Sequence, residues 1–416
     1  MKRTADGMEL EQAQALIREH SDRLGTERVA ISGSHGRVLA EDVFSPMDQP
    51  PFDRAPVDGF ALRASDTAGA SENSPASLAV GETLYAGSWP ARSVVAGTAA
   101  RIMTGAPIPP GADCVIRQED VSSGGGLVRI ARPMRPGENY VYAGEDLKAG
   151  ERVLLEGQCL NYAAVGILSS IGACEAAVYR LPRVALISTG DEIVEPGAPL
   201  GPGKIYNSNA FTIGLRLKEL GAEVLQRGIV PDEPRALAEA MAGAAEAADL
   251  VLTTGGASVG AKDVAMESLE LLGADILFKG LRMKPGSPAI CGLFGRRLIL
   301  CLSGNPAAAS ITFELLGRVA LCGLAGNEGL LPVRIRAALK SGFGKPSLGR
   351  RFLRGRLVRE AEAERIELVG KNSSGVLSSL LECNCLVDIP AGTGALKAGD
   401  MVDALMLGAQ SFAWRQ

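Results

Sequence analysis

The sequence has almost no histidine: His20 and His35 are the only two among 416 residues. A Ser-His-Asp or Cys-His mechanism, or a histidine-ligated transition metal, would have to use one of them. His20 falls in a run predicted to be helical and His35 in a Ser-Gly-Ser-His-Gly loop, so we interpret both as surface residues. The chemistry is therefore expected to use carboxylates, lysines, backbone amides and a hard metal ion.

Three further features are scarce. The eight cysteines include no CxxC pair, and only Cys383 and Cys385 are close together, so we predict no zinc or redox motif and expect a reducing cytoplasm. No run approaches the roughly 20 apolar residues of a membrane span, and residues 1–10 lack the apolar core of a signal peptide, so no membrane contact is expected. The formal charge of −4 is too mild for a nucleic-acid binder.

The residue patterns predict four domains. Apolar residues at helical spacing open the chain, and prolines and glycines then punctuate short β-branched runs. Strand and helix patterns alternate in the third region, and strand patterns of a barrel or sandwich fill the last. The predicted domains are an N-terminal domain of residues 1–46 and 143–180, an inserted β-rich domain of 47–142, an α/β domain of 181–325, and a β domain of 326–416.

Local patterns also predict individual elements. An amphipathic helix is expected within residues 8–24. In the inserted domain, Cys114–Ile116 and Leu127–Ile130 are predicted strands joined by a turn at 122–126. Alternating strands and helices in the third domain predict a doubly wound, parallel sheet covered on both faces. Its predicted strands are Val184–Ser188, Val224–Val230, Leu250–Thr253 and Leu298–Leu302.

Three glycine-bearing loops follow strands of this sheet: Ser188–Glu192, Thr253–Gly260 and Leu302–Pro306. Such loops lie together at the carboxyl edge, where open α/β sheets bind ligands. Glycine permits close approach of the backbone, and helix N-termini offer amides to anions. We prefer a phosphate-bearing ligand over plain turns, although no loop is a Walker or Rossmann fingerprint.

The acids beside these loops would repel a phosphate unless a cation lies between them. Asp191, Glu192 and Asp263 could hold Mg²⁺, which bridges carboxylates to substrate oxygens. The alternative is that they are helix caps and solvated loop acids, and for Asp232 we favour a cap. By local sequence alone, Asp58 and Asp146 are turn acids and Lys284 is a surface lysine.

In its ordered set of motifs, the chain resembles the molybdopterin molybdenumtransferase family, called MoeA in bacteria and represented in animals by the C-terminal part of gephyrin. The resemblance covers nearly the whole chain. The motifs that carry it are Pro56–Ala61, Arg101–Ala106, Gly144–Asp146, Ser188–Glu192, Gly255–Gly260, Lys284–Gly286 and Gly304–Pro306.

This resemblance implies four domains, with an elongated N-terminal domain, an inserted β domain, a central molybdopterin-binding α/β domain and a C-terminal β-barrel. It implies insertion of molybdate into adenylylated molybdopterin, with Mg²⁺-dependent release of AMP. It also implies a homodimer whose sites form between subunits, and exchange with a molybdopterin adenylyltransferase and molybdoenzyme clients.

By the same resemblance, groups of residues receive roles. The implied catalytic residues are Asp58, Thr104, Asp146, Glu192, Asp232 and Asp263, the first three reaching the site from the other protomer. The implied cofactor-binding residues are Ser188, Thr189, Gly190, Gly255, Gly256, Ser258, Gly260, Lys284, Gly304, Asn305 and Pro306. Magnesium would be held by Asp191 and Glu192, and molybdate by Lys284, Arg350 and Ser374, where the α/β domain meets the barrel. The chain is one residue short after Gly349, so Arg351 could replace Arg350.

Three positions depart from the family pattern. Gly280 and Ser287 stand where the family commonly carries lysines, and Ser303 where it carries proline. Lys279 could substitute for the first lysine. These departures could weaken oxyanion binding or favour tungstate over molybdate. Alternatively, the protein could be a carrier that binds the cofactor without catalysing metal insertion. A nucleotide-pyrophosphate hydrolase is a further alternative, although it would leave the other three domains unexplained.

Overall fold

A computed structural model of the chain describes residues 7–257, 263–360 and 363–408. The chain divides into two compact units. The first unit combines the residues up to Glu27, Gly36–Val38 and the chain from Val178 onward. The second unit consists of Arg28–His35 and Leu39–Ala177.

A six-stranded sheet forms the main part of the second unit, with strand order β6-β3-β5-β4-β8-β7. The elements from the N-terminus to the end of this unit are α1 (Leu10–Glu19), β1 (Thr26–Ala30), β2 (Val43–Phe44), β3 (Gly59–Leu62), β4 (Ala76–Leu84), β5 (Thr98–Ile102), β6 (Cys114–Arg117), β7 (Val121–Gly124), β8 (Leu127–Ile130), β9 (Arg152–Leu154), α2 (Tyr162–Ser170) and β10 (Glu175–Tyr179). The predicted turn at 122–126 is wrong in part. Val121–Gly124 pairs with Leu127–Ile130 as a strand, and the reversal itself falls on Gly125 and Gly126.

The first unit contains a second six-stranded sheet, with order β14-β11-β15-β19-β18-β16. Its elements are β11 (Arg183–Thr189), β12 (Ile193–Val194), β13 (Ile205–Tyr206), α3 (Ser208–Glu219), β14 (Glu223–Val230), α4 (Pro234–Ala247), β15 (Leu250–Thr254), α5 (Val264–Leu272), β16 (Asp275–Lys279), β17 (Met283–Lys284), β18 (Ile290–Phe294), β19 (Arg297–Leu302), α6 (Pro306–Thr312) and α7 (Arg318–Ala325). Strands β14, β11, β15 and β19 are parallel, as predicted. Strands β18 and β16, which the sequence reading missed, add an antiparallel edge.

Apolar side chains cover both faces of this sheet, because consecutive residues of a strand point to opposite sides. On one face Ala185, Ile187 and Val251 pack under α4 and α5. On the other face Val184 and Leu186 pack against α1, α3 and the helices after β19. The near-continuous apolar strands, recognised from the sequence, are thus buried on both sides as expected for a doubly wound sheet.

A buried carboxylate closes the opposite, amino-terminal edge of the sheet. Asp249 is 2% exposed and accepts from Arg180 Nη1 and Nη2 at 2.8 and 2.9 Å, and from Arg183 N–H at 2.9 Å. Burial, the largest single influence, raises its pKa, but the hydrogen bonds from Arg180 and Arg183 together hold the pKa of Asp249 below its usual value. The arginine pair therefore stabilises the ionised form.

Helices α6 and α7 are joined by a π-helical segment, Phe313–Gly317, into one apolar stretch, Pro306–Ala325. By length and composition this stretch could cross a membrane, so the expectation that no segment reaches those criteria is wrong. However, 89% of it is buried inside the protein, as in a core helix. Within it, Glu314 accepts from Arg318 Nη1 at 2.9 Å and from Arg216 Nε at 2.7 Å, so its buried charges are paired.

The C-terminal region is a closed, five-stranded barrel. Its strands are β20 (Val333–Leu339), β21 (Arg350–Glu360), β22 (Ala363–Leu368), β23 (Cys385–Ile389) and β24 (Met401–Met406). They follow the order β21-β22-β20-β24-β23 and close through pairing of β23 with β21. The predicted barrel is thus confirmed, although β23 was not recognised in the sequence. Short 3-10 turns lie at Ile31–Gly33, Ala64–Thr67, Gln118–Asp120, Glu328–Leu330 and Leu377–Leu380.

Candidate active site

The three glycine loops meet at the carboxyl edge of the parallel strands, as predicted. Gly255 N–H donates to Leu302 O at 3.2 Å, which joins the loop after β15 to the end of β19. Gly255 has φ +97°, and a Cβ there would lie 2.0 Å from Thr189 O. Only glycine therefore allows the loop after β15 to approach the end of β11 so closely. Gly256 and Gly304 lie in the same pair of loops, and Pro306 begins α6.

The hydroxyls at the end of β11 brace this edge. Ser188 Oγ donates to Asn207 Oδ1 at 3.0 Å, and Thr189 Oγ1 donates to Asp232 Oδ1 at 2.9 Å. Both residues are buried. Asn209 adds a further brace, since its Nδ2 donates to Gly304 O at 2.9 Å. The edge is thus held in place by side chains before any ligand binds.

Two of the predicted acids lie together. Asp232 N–H donates to Asp191 Oδ1 at 3.2 Å, and both residues are exposed. Glu192 follows directly, and its Oε2 lies close to Gly190. The interpretation of Asp232 as a helix cap is wrong, because the N-cap position of α4 is Glu233 and the Asp232 carboxylate instead accepts from Thr189.

Magnesium in proteins is bound by hard oxygen ligands such as carboxylates. Within the described ranges, no group of three or more His, Cys, Asp or Glu side chains is arranged to hold a metal ion. However, Mg²⁺ commonly binds through one or two carboxylates together with water and substrate phosphates. The exposed residues Asp191 and Asp232, joined by the bond from Asp232 N–H to Asp191 Oδ1, offer carboxylates for that mode, in which substrate oxygens would complete the shell. Glu192 remains a predicted ligand.

Asp263 caps a helix and forms an ion pair. It is the N-cap of α5, accepting from Met266 N–H at 3.4 Å, and its Oδ2 lies 2.6 Å from Lys279 Nζ. Lys279, the residue next to Gly280, is therefore paired with Asp263, and its substitution for the missing lysine stays a prediction. The two remaining predicted residues of the second loop, Ser258 and Gly260, lie outside the described residues.

A cavity of about 410 Å³ opens where the α/β sheet meets the barrel. Strand β17 brings the two together by pairing in parallel with β21, so that Lys284 lies in register with Arg351. The residues that line this cavity, called the oxyanion cavity below after the ligand that the sequence predicts there, include Lys284, Ser287, Ser303, Asn305, Arg351, Asn372 and Ser374. The third glycine loop, through Ser303 and Asn305, is therefore continuous with a basic, hydroxyl-bearing cavity.

Arg350, the first choice for the oxyanion ligand, does not line this cavity. Its Nε and Nη2 donate to Asp388 Oδ1 and Oδ2, both at 2.8 Å, and its Nη1 donates to Glu11 at 2.7 and 2.9 Å. These carboxylates, Asp388 foremost, raise the pKa of Arg350. Adjacent strand residues face opposite sides, so Arg351 lies on this cavity, whereas Arg350 lines a neighbouring cavity of about 680 Å³ together with Lys284 and Ser287. Arg350 therefore stays a predicted molybdate ligand.

In the second unit, Asp58 and Thr104 form one cluster. Asp58 Oδ1 accepts from Thr104 Oγ1 at 2.7 Å and from Thr104 N–H at 2.8 Å, and these bonds lower the pKa of Asp58. The next residue must be glycine, since a Cβ at Gly59 would lie 1.8 Å from Ile116 O. This close strand contact fixes the turn that carries Asp58, which is ionised at neutral pH.

Asp146 lies in a different turn of the second unit. Its backbone N–H donates to Gln49 O at 2.9 Å, and the residue is exposed. The structure therefore unites the predicted residues Asp58 and Thr104 but leaves the role of Asp146 a prediction.

Sequence reasoning gave no role to Asn207, Asn209 or Asn372. The first two precede or begin α3, and Asn207 caps it by accepting from Ala210 N–H at 3.3 Å. An Asn-Ser-Asn run before a helical pattern was an available signal for such a cap. Asn372 had no local signal, because its position on the cavity depends on the barrel.

Comparisons with known proteins cover most of the chain. Residues 8–172 match a family model described as the MoeA N-terminal region (domain I and II). Residues 185–322 match a probable molybdopterin binding domain, and residues 336–407 match the MoeA C-terminal region (domain IV).

Individual relatives agree with these models. The chain is 35% identical over 378 residues to a molybdopterin molybdenumtransferase of Staphylococcus aureus (strain COL), covering 91% of this chain and 90% of the relative. It is 34% identical over 384 residues to one from Staphylococcus epidermidis (strain ATCC 35984), covering 92% of both. A crystal structure described as the molybdopterin biosynthesis MoeA protein of Pyrococcus horikosii superposes with a TM-score of 0.84 at 34% identity, covering 97% of this chain and 99% of that one.

Proposed function

Because the chain belongs to the MoeA family of molybdopterin molybdenumtransferases, an enzyme family of molybdenum cofactor biosynthesis, we propose that it inserts molybdate into adenylylated molybdopterin and releases AMP in a Mg²⁺-dependent step. The observation that carries the proposal is the oxyanion cavity. It joins Lys284, Arg351 and Ser374 to Ser303 and Asn305 of the third glycine loop, so an anion there would lie beside a ligand bound at the sheet edge.

The sheet edge would bind the pterin and its phosphates. Its three loops present backbone amides, and the N-terminus of α6 adds positive potential for an anion. The hydrogen bonds of Ser188, Thr189 and Asn209 fix the loops in advance, which reduces the entropy lost when substrate binds.

Magnesium would be held by Asp191 and Asp232, with Glu192 nearby, and would neutralise the pyrophosphate charge. Without such a cation these carboxylates would repel the substrate. Lys279, paired with Asp263, places a further positive charge beside the same loops.

The oxyanion cavity would bind molybdate. A tetrahedral dianion needs fixed donors, and the ammonium of Lys284, the guanidinium of Arg351 and the hydroxyls of Ser287 and Ser374 are suitable types. Because Ser287 replaces a lysine of the family pattern, we propose weaker oxyanion affinity than that pattern would give.

We further propose a homodimer in which Asp58 and Thr104 complete the site of the partner subunit. Two hydrogen bonds from Thr104 keep Asp58 ionised, so it would act as a charged acceptor that orients a nucleophile or a substrate hydrogen-bond donor. The second unit exposes the large side chains Phe44, Tyr85, Trp89, Tyr142 and Tyr162, which are available to such an interface.

The test is to incubate the purified protein with adenylylated molybdopterin and Mg²⁺, adding molybdate, tungstate or neither, and to measure AMP and cofactor-bound metal. We expect AMP release coupled to metal insertion, abolished by a chelator. AMP release without metal insertion would indicate a hydrolase, and substrate binding without AMP release would indicate a carrier. Either result would contradict the proposal.

A further inference from the structure

The barrel buries one arginine without a counter-charge. Arg354, on β21, is 1% exposed. Among the described residues no carboxylate pairs with it, and its Nε and Nη1 have no hydrogen-bond partner. Burial lowers the pKa of this guanidinium, as expected for a cation removed from water. Other buried or half-buried arginines of the same unit, such as Arg216 and Arg318, pair with Glu314.

The contacts that Arg354 does make all involve one loop. Its Nη2 donates to Ser373 O at 2.9 Å and to Lys371 O at 3.2 Å. Its backbone N–H donates to Asn372 Oδ1 at 2.9 Å. One residue therefore holds three consecutive residues of the segment Lys371–Ser374.

That segment is a wall of the oxyanion cavity. Asn372 and Ser374 both line it, as do Phe352 and Leu353, which precede Arg354 on β21. On its far side the segment is tied to the α/β sheet, because Ser374 O accepts from Ala307 N–H at 3.0 Å. The segment is thus hydrogen-bonded to Arg354 on one side and to the start of α6 on the other, and it borders the cavity.

We propose that Arg354 is a positioning residue for oxyanion binding: it fixes the loop so that Ser374 faces the anion, and it places an unneutralised positive charge behind that wall. The inference rests on the proposed function of the cavity. A neutral side chain that donates the same hydrogen bonds could hold the loop equally well, whereas burying a guanidinium without a carboxylate partner costs free energy. An anion in the adjacent cavity offsets that cost. This charge partly replaces the cation missing at Ser287.

The experiment compares Arg354→Met and Arg354→Lys with Arg318→Met as a matched control. Arg318 is also buried and also hydrogen-bonds backbone carbonyls, those of Leu330 and Leu407, but it does not line the cavity. Calorimetry measures tungstate and molybdate binding to each full-length protein without pterin. Kinetics of AMP release give separate KM values for molybdate and for adenylylated molybdopterin, and thermal unfolding reports stability.

We expect Arg354→Met to weaken oxyanion binding by about tenfold, because the variant loses both the charge behind the wall and the two bonds that fix the loop. The KM for adenylylated molybdopterin should stay unchanged. Arg354→Lys keeps the charge but loses the planar fork that holds two carbonyls, so we expect a smaller loss, of about threefold. Arg318→Met should lower the melting temperature without changing oxyanion affinity.

Equal oxyanion affinity in the wild type and both Arg354 variants would overturn the inference, as would an equal loss in Arg318→Met. If Arg354→Met does not fold, Arg354→Lys decides: unchanged affinity refutes the role and reduced affinity supports it. If the wild type itself neither binds oxyanion nor releases AMP, the proposed function has failed. If the wild type does both but the Arg354 variants match it, only the positioning role has failed.

Discussion

Replacing either of two adjacent arginines on β21 by alanine is expected to impair a different property of the protein, molybdate binding in one case and stability in the other. Arg351 lines the oxyanion cavity, in register with Lys284. Arg350 points the other way, into Asp388 and Glu11. We predict that Arg351→Ala weakens molybdate binding with little effect on stability, whereas Arg350→Ala destabilises the barrel with little effect on molybdate.

The magnitudes follow from the contacts. The Asp388 side chain is 5% exposed, and removing one partner of a buried ion pair costs about 3–5 kcal/mol. Arg334 remains 3.4 Å from Asp388, so we take the lower end, about 3 kcal/mol. At roughly 2 °C per kcal/mol for a large domain, Arg350→Ala should melt about 6 °C lower. Loss of one charge-assisted contact at Arg351, about 1.5–3 kcal/mol, raises the half-saturating molybdate concentration roughly 10- to 100-fold.

The assay is AMP release as a function of molybdate at fixed ionic strength, with thermal unfolding of the same preparations. Each variant is the other's control, because both remove the same charge from neighbouring positions. The reasoning would be refuted if Arg350→Ala raised the half-saturating molybdate concentration tenfold while Arg351→Ala left it unchanged.

Four further predictions concern other parts of the molecule. Ser287→Lys should lower the half-saturating molybdate concentration by about tenfold, since it adds a cation to the cavity; an unchanged value would mean that position 287 does not face the anion. Asp232→Asn should raise the Mg²⁺ concentration needed for AMP release, and an unchanged Mg²⁺ titration would remove Asp232 from the metal site. Mixing inactive Asp58→Ala and Asp263→Ala chains should restore part of the activity, and no recovery despite proven subunit exchange would contradict a shared site. Asp249→Asn should destabilise the protein by about 3 kcal/mol at neutral pH. Because the pKa of Asp249 is lowered in the folded protein, its carboxylate stabilises the fold fully above about pH 4, and this stabilisation is lost as the pH falls through the folded pKa. Urea unfolding should therefore show that the difference in unfolding free energy between the wild type and Asp249→Asn shrinks in acid. A difference that does not depend on pH would count against the ion pair.

The α/β domain could be predicted well from the sequence, because its signals are local. Apolar runs ending in glycine loops identified β11, β15 and β19, and the order of strands and helices required their carboxyl ends to meet at one edge. The antiparallel strands β16 and β18 and the barrel strand β23 were missed. Each is a run of five mostly apolar residues, and so short a run shows no period that distinguishes a strand from a buried helix segment.

The sequence identified the acidic residues at that edge but could not assign their structural roles. Local sequence favoured a cap role for Asp232, yet the helix begins one residue later and the carboxylate accepts from Thr189. Conversely, Asp263 does cap a helix while also pairing with Lys279. Local preference cannot distinguish these cases, because a short polar side chain bonds whichever donor the tertiary fold brings near.

By itself the sequence determined the sheet, the edge where its glycine loops meet and the residue types available there, because these depend on period and chain order. Only the tertiary structure decided which of Arg350 and Arg351 faces the oxyanion cavity, and that Arg354 supports its wall. A strand's side chains alternate, so a shift of one residue exchanges the inward and outward sets. That register is set by pairing of β21 with Lys284 and with β23, contacts between segments far apart in the chain that no local pattern encodes.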